Sequence, residues 1–431
     1  MGSYTRLLLA AALAGALATA ACGSSSNPSA APTTVPTGKT GGETLSLYND
    51  KGQWKQFFTD IGALSKTQVG SDLNPVGYTD ENTYQAFIKA SLRTKVKPDL
   101  FTWATGGELN SLASQHVLAD TSALWKDAIG KGYLSQQLEP YYTVDGKQYC
   151  VPLNVAYWGM FYNKHVFAKY NLQPPKTWSD FTTILSTLKA GGVTPMYQTS
   201  TLFTFVWFEQ LLAGSNPDVY NALSTGKAKY TDQAVVDTMK LWQSEEAAGY
   251  FTDPTVKDQP QALLEKGGDG GVAMVPFGTW FNTSMTAEGQ KPGVDYGFFV
   301  IPNVNPALPK TSMVFETGPL CELASAPHLV DSLRVMNWWL TPDAQQKWAG
   351  SRDDVSANPK ATISDPALQE VAAAAGSGQY NIVDRYFEAA PPPVLTAALD
   401  AFGAFMVKPS TYMDQLNTIQ KAADQYWATN K

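Results

Sequence analysis

Chemistry on a protein chain needs particular side chains at particular spacings, and most of the familiar reactive sets are missing from this sequence. The three histidines, His116, His165 and His328, stand far apart with no second His or Cys at metal-ligand spacing, so no metal site is readable. No G-x-S-x-G elbow, H-E-x-x-H helix or Walker A loop occurs. Gly268, Gly270 and Ala273 fit a loose dinucleotide pattern, but the segment precedes a predicted strand instead of joining a strand to a helix, and it reads as a turn. Glu245-Glu246 and Asp353-Asp354 could supply the paired carboxylates of glycoside hydrolysis. Adjacent acids on a helix or at a cap are usually solvated, so a hydrolase is kept only as an alternative, and no cofactor is expected.

What stands out instead is indole and mixed charge where predicted strands end. Asp50 and Lys51 follow the strand Thr44–Tyr48, Trp103 closes the strand 100–103, and Trp280 comes just after the strand 272–276. In open α/β sheets ligands sit outside the carboxyl ends of the strands, which puts Asp50, Lys51 and Trp103 along one rim. With 12 Trp, 20 Tyr and 19 Phe, the chain carries more aromatic surface than a core alone requires, and a Trp ring suits an amphipathic ligand. The plainer readings are an exposed turn for Asp50-Lys51 and a core position for Trp207, which stands in the apolar run 203–208.

Around these positions short apolar strands alternate with amphipathic helices, the pattern of an α/β fold. Helices are predicted over 54–64, with apolar residues at Trp54, Phe57, Phe58, Ile61 and Leu64, and over 84–92 and 108–114. Thr177 and Asp180 mark the start of a further helix that runs to Ala190 and stops at Gly191-Gly192. The last hundred residues are mainly helical, over 329–339, 343–348, 366–375 and 411–427, broken by Pro391-Pro392-Pro393. No period of 20 to 50 residues repeats, which argues against a solenoid or propeller.

The 431 residues, 44% of them hydrophobic, can bury one large core or two. The balance of 31 basic against 38 acidic residues, with no basic run, excludes nucleic acid as an expected partner. Arg6 and the apolar run Leu7 to Ala21 read as a signal peptide over 1–21, too short to span a bilayer. Ala20-Ala21-Cys22 resembles a bacterial lipobox, although Thr19 stands where Leu is usual. Cys22 is therefore the expected lipidation site, with ordinary secretion as the alternative. The Ser, Thr, Pro and Gly tail to residue 42 reads as a disordered tether with a root-mean-square span of about 25 Å. Cys150 and Cys321 remain; an oxidising compartment permits a disulfide, but spacing alone leaves a pair of buried thiols equally open.

Several segments together resemble the extracellular solute-binding proteins that include the maltose-binding proteins of bacterial ABC importers. They are Asn49-Asp50-Lys51-Gly52, Pro98 to Ala104, Val151-Pro152-Leu153 through Tyr162-Asn163-Lys164, Pro174 to Trp178, Val272-Ala273-Met274 with Gly278-Thr279-Trp280, and Gly318 to Ala324 with the helix that follows. The resemblance implies a periplasmic-binding-protein type II-like α/β fold: two α/β lobes joined by hinge crossovers, with a helical C-terminal part. It places one lobe at 43–150 plus 321–350 and the other at 154–317 plus 355–431. It also implies that the crossover strands lie side by side, favouring a Cys150–Cys321 disulfide. Asp50 and Lys51 match positions that hydrogen-bond sugar hydroxyls, and Trp103 and Trp280 match aromatic positions lining the sugar cleft. Trp54, Asn154, Tyr157, Trp158, Trp207, Glu209 and Arg352 join the expected ligand set by their place in the matching segments. Ala156 stands where maltose-binding members carry an acid, so maltose itself is not implied. The expectation is a monomeric, lipid-anchored binding protein on the outer face of the cell membrane that delivers a mono- or oligosaccharide to ABC permease subunits. The alternatives are the same fold binding a peptide, polyamine or phosphate ester, and a polysaccharide-cleaving lipoprotein.

Overall fold

The structure, a computed structural model, describes residues 34–201 and 203–430. The expected signal peptide, Cys22 and most of the tether lie outside the described residues. Eleven strands are present among those described: β1 (Thr44–Asn49), β2 (Asp72–Gly77), β3 (Leu100–Thr102), the hairpin β4 (Thr143–Val144) and β5 (Lys147–Gln148), β6 (Val151–Asn163), β7 (Thr194–Met196), β8 (Val272–Gly278), β9 (Tyr296–Phe299), β10 (Ser312–Cys321) and β11 (Asn381–Asp384).

Nine strands form a continuous sheet in the order β2-β1-β3-β10-β6-β8-β7, with β11 beside β10 and β9 beside β6. Its two long strands give the sheet two halves. The C-terminal end of β10 pairs with β3 at Leu320 and Cys321, while its first four residues pair with β11. The start of β6 pairs with β10, and its second half pairs with β8 and β9. One lobe is therefore built on β1, β2 and β3, the other on β7, β8, β9 and β11, and β6 and β10 cross between them as an antiparallel pair.

Two prolines mark that crossing. Pro152 faces Pro319, and the register shifts between Gly318 and Pro319. Neither proline can donate to the ladder, so the sheet loses its regular hydrogen bonding where the lobes join. Their carbonyls are taken elsewhere: Trp103 N donates to Pro319 O (3.0 Å) and Trp339 Nε1 to Pro152 O (3.1 Å). Cys150 and Cys321, at the end of this pair, form a disulfide with Cα atoms 4.2 Å apart. Cys150 has φ of +63°, a region that disfavours side chains. Its carbonyl is held by Thr121 Oγ1 and Trp125 Nε1, each at 2.9 Å.

Helical spacing located eight of the seventeen α-helices among the described residues to within a few residues, and Thr177 and Asp180 form a reciprocal capping box ahead of Trp178–Ala190. The proline run is where the prediction fails. Pro391 caps and Pro392 opens a 16-residue helix, Pro392–Val407, because proline at the first helical turn gives up only an N–H that would lack a partner anyway. That helix packs with Tyr412–Trp427, and its Phe402 and Phe405 meet Phe208 and Trp242 in the core of the second lobe.

Candidate ligand-binding site between the lobes

Along one side of β10, β3 and β11 approach each other end to end. Trp103 N reaches Pro319 O from one lobe and Arg385 N reaches Phe315 O from the other. The carboxyl ends of both strands thus meet over residues 316–318 of the crossover, the position where α/β sheets hold ligands. A cavity of about 350 Å³ opens there, lined by Thr105, Gly106, Asn110 and Tyr141 from the first lobe, Phe315, Glu316 and Thr317 from β10, and Asp384 and Glu388 from the second.

Glu316 joins this cavity to the indoles. Its Oε2 accepts from Trp158 Nε1 (2.8 Å) and Trp280 Nε1 (3.3 Å) and pairs with Arg385 Nη1 (2.8 Å). Arg385 also grips Glu388, Nε to Oε2 at 2.7 Å and Nη2 to Oε1. Burial works against the Arg385 cation, but the Glu316 and Glu388 charges outweigh it and hold it protonated more firmly than usual. Burial pushes the Glu388 carboxyl up, with Arg385 opposing. Asp384 is likewise raised by burial and partly held down by the Tyr141 hydroxyl. The wall is rich in acceptors, and its nearest cation is already engaged by two carboxylates.

The residues singled out from sequence fall into three groups. Trp158 and Trp280 reach the cavity wall through Glu316, and Tyr157 packs on Phe315, a lining residue, at 5.5 Å. Asn154 is buried on β6 opposite Gly318, where a Cβ on Gly318 would meet Asn154 Oδ1 at 2.5 Å.

A second cluster gathers Asp50, Lys51, Trp54 and Arg352. The Asp50 carboxylate bonds Lys51 Nζ (2.9 Å) and the Thr102 hydroxyl (2.6 Å). Burial favours its neutral form, yet the Lys51 charge and the Thr102 hydroxyl win and leave its pKa below the ordinary value. Arg352 is fully enclosed, its guanidinium 4.5 Å from the Trp54 ring and 4.4 Å from the Trp348 ring, and paired with Asp354 at 3.3 Å. Thr283 Oγ1 donates to Arg352 O and Asn282 Nδ2 to Asp353 O, both at 2.5 Å. The segment 352–354 is thus a third link between the lobes, with Arg352 stacked in the first and its backbone held by the second.

The remaining residues sit in interiors. Trp207 donates to Glu245 Oε2 at 2.6 Å among Trp178, Phe181 and Phe251. Glu209 accepts from Tyr386 N at 2.8 Å. The Trp103 ring packs on Tyr84 and Phe101 beneath Lys89, and its Nε1 is buried with no partner. Its backbone, not its ring, leads into the lining at Thr105.

Sequence reasoning missed Glu316, Asp384, Arg385, Glu388 and Tyr141. Glu316 did leave a signal, as the sole charge in the ten residues of β10. Asp384, Arg385 and Glu388 left a weaker one, three charges packed between a strand and the proline run. Among the described residues no cluster of potential metal ligands occurs and no helix is long and apolar enough to cross a membrane.

Comparison with known proteins agrees with this architecture. An uncharacterised ABC transporter extracellular-binding protein of Pyrococcus horikoshii is 26% identical over 236 residues, 53% of each chain; the match thus spans about half the length of this curated relative, and 38% and 16% of two others. Among solved structures, a chitin oligosaccharide binding protein superposes with a TM-score of 0.75 at 19% identity, over 89% of this chain and 98% of its own. The bacterial solute receptor AcbH, described as having an exclusive preference for b-D-galactopyranose, gives 0.75 at 21% identity over 90% and 99%. These likenesses show the type II-like fold. The family description of bacterial extracellular solute-binding proteins matches residues 61–375, well over half of the sequence, and the chain belongs to that family.

Proposed function

We propose that this protein captures a mono- or oligosaccharide in the interlobe cleft and delivers it to the permease of an ABC importer. The observation that carries the reading is the cavity at the lobe junction, where acceptor-rich walls adjoin an indole pair held by Glu316. A saccharide offers many hydroxyl donors and an apolar ring face, and such a site answers both. The sugar-binding proteins of similar fold support the same ligand class. Binding proceeds without covalent chemistry: ligand joins one lobe, the lobes rotate about the paired crossovers, and closure is driven by contacts that exist only in the closed form. Lipid at Cys22 would hold the protein on the outer face of the cell membrane, with the tail as tether; mass spectrometry of the mature N-terminus tests that part.

A thermal-shift screen over mono- and oligosaccharides tests the main reading, because a ligand that binds only the folded state raises the melting temperature by mass action. A clear shift with at least one sugar is expected; none across a broad panel would end it. The second reading, a polyamine, is favoured by Glu316, Asp384 and Glu388 lining one cavity with Arg385 already paired. Spermidine and putrescine belong in the same screen.

A further inference from the structure

Trp280 packs against four other rings and still keeps part of its surface exposed. Its ring lies 5.7 Å from Phe203 and 5.4 Å from Phe277, both close to parallel with it, and these two rings are 5.0 Å from each other. Phe281 adds an edge contact at 6.4 Å. Trp158 adds an edge contact at 5.9 Å and is itself 6.1 Å from Phe203 and 6.2 Å from Phe277, so it joins that group. Apolar packing alone is non-directional and does not fix the rotation of a partly exposed indole. The polar restraint on the ring is the bond from Nε1 to Glu316 Oε2.

The carboxylate giving that restraint is itself tightly held. The same oxygen takes Trp158 Nε1 and Arg385 Nη1, and a hydrogen bond to an ionised acceptor is roughly twice as strong as a neutral one. Arg385 continues the chain of contacts to Glu388, whose backbone carbonyl lies against Gly106 of the other lobe. We propose that Glu316 is a positioning residue for ligand binding: it fixes the partly exposed Trp280 ring toward the saccharide, and ties this wall through Arg385 and Glu388 to the contact between the lobes. The inference rests on the saccharide reading of the site.

Two variants test it. In E316A, the ligand-free protein should show a changed near-ultraviolet circular dichroism spectrum and red-shifted indole emission. Its affinity, by calorimetry with the sugar that gives the largest thermal shift, should fall about ten- to hundredfold, as for loss of hydrogen bonds to a charged group. E316Q, whose amide oxygen can still accept from the indoles, should restore the spectrum and most of the affinity. A wild-type spectrum in E316A would overturn the proposal. So would equal loss of affinity in both variants, since the negative charge would then act on the ligand itself. If E316A does not fold, W280F replaces it, measured with and without E316Q: a smaller phenyl remains that cannot bond Glu316, so the part of the affinity that E316Q loses in the wild-type background should not be lost in W280F, and an equal effect in both overturns the proposal. If the wild-type protein binds no sugar, the functional reading fails by itself, and the ligand-free spectra still judge the role of Glu316.

Discussion

The backbone carbonyl oxygen of Glu388, in one lobe, occupies the space that a Cβ on Gly106, in the other, would need. Gly106 also has φ of +65°, and Gly107 beside it would bring a Cβ within 2.9 Å of Pro392 Cδ. Position 106 needs glycine on both counts, because backbone on the far side cannot yield as a flexible side chain would. In G106A the lobes should rest further apart and ligand affinity should fall by about tenfold or more, as the binding-competent form becomes a minority. Small-angle scattering of the ligand-free and ligand-bound protein checks this; an unchanged radius of gyration with unchanged affinity would refute it.

The Cys150–Cys321 disulfide closes a loop across 171 positions. In the chain-entropy picture a loop of this size removes about 5 kcal/mol of denatured-state freedom, and measured gains are often smaller. Chemical denaturation with and without reductant, or of C150S/C321S, should show a lower midpoint without the bond. The bond also joins the crossover strands on the side of the first lobe, so its loss should loosen that junction more than either lobe's interior, which hydrogen exchange at Val151 and Leu320 would report.

Trp280 carries the ring assigned to the sugar. W280A should weaken binding of the best sugar by about 2 kcal/mol or more, the usual size of a central aromatic contact. Titration calorimetry decides it, and unchanged affinity removes Trp280 from the site.

These residues also indicate what a sequence can and cannot reveal. Strand ends flanked by Asn-Asp-Lys-Gly and by Trp103 were legible because turn chemistry and apolar runs are local. The crossovers and the pairing of Cys150 with Cys321 were legible only through the family resemblance, since 171 positions of chain separate the two sulfurs. The cavity wall was not read at all. Glu316, Asp384 and Glu388 come together because β11 runs parallel to β10, a pairing that joins positions some 70 apart and leaves no periodic trace. Trp103 shows a different limit. The strand end was located correctly, but Tyr84 and Phe101 draw the ring toward their own lobe, and no spacing rule distinguishes an indole facing the cleft from one folded back.

Arg352 makes a further case for measurement. Enclosed between Trp54 and Trp348 and paired with Asp354, it is built to brace the third interlobe link. Replacing it with Met keeps the apolar stem but leaves Asp354 buried without its cation. Burial already lifts Asp354 to about 6 against the pull of Arg352. R352M should cost about 3–5 kcal/mol of stability, as for breaking a buried pair, and R352M/D354N should recover a good part of it. Urea unfolding reads both. A stable R352M that has lost sugar binding would instead assign Arg352 to the ligand.

Stability against pH should report the acid pair under the helix 206–215. Burial pushes Glu245 up to about 8, offset in part by the hydrogen bond from Trp207, and Glu246 up to about 7, offset by Gln198. Both values exceed the ordinary carboxylate range, so over this interval the folded protein binds more protons than the unfolded chain. Stability is then full below the unfolded value near 4.5 and declines as pH rises through about 7 to 8. Glu209 and Glu322 are raised by burial in the same sense and steepen the trend. Denaturation midpoints should therefore fall between about pH 5 and pH 8, and E245Q, which keeps an oxygen for Trp207 Nε1 but cannot ionise, should flatten that slope. An E245Q profile as steep as wild type would mean that the carboxyl beside Trp207 titrates in its ordinary range.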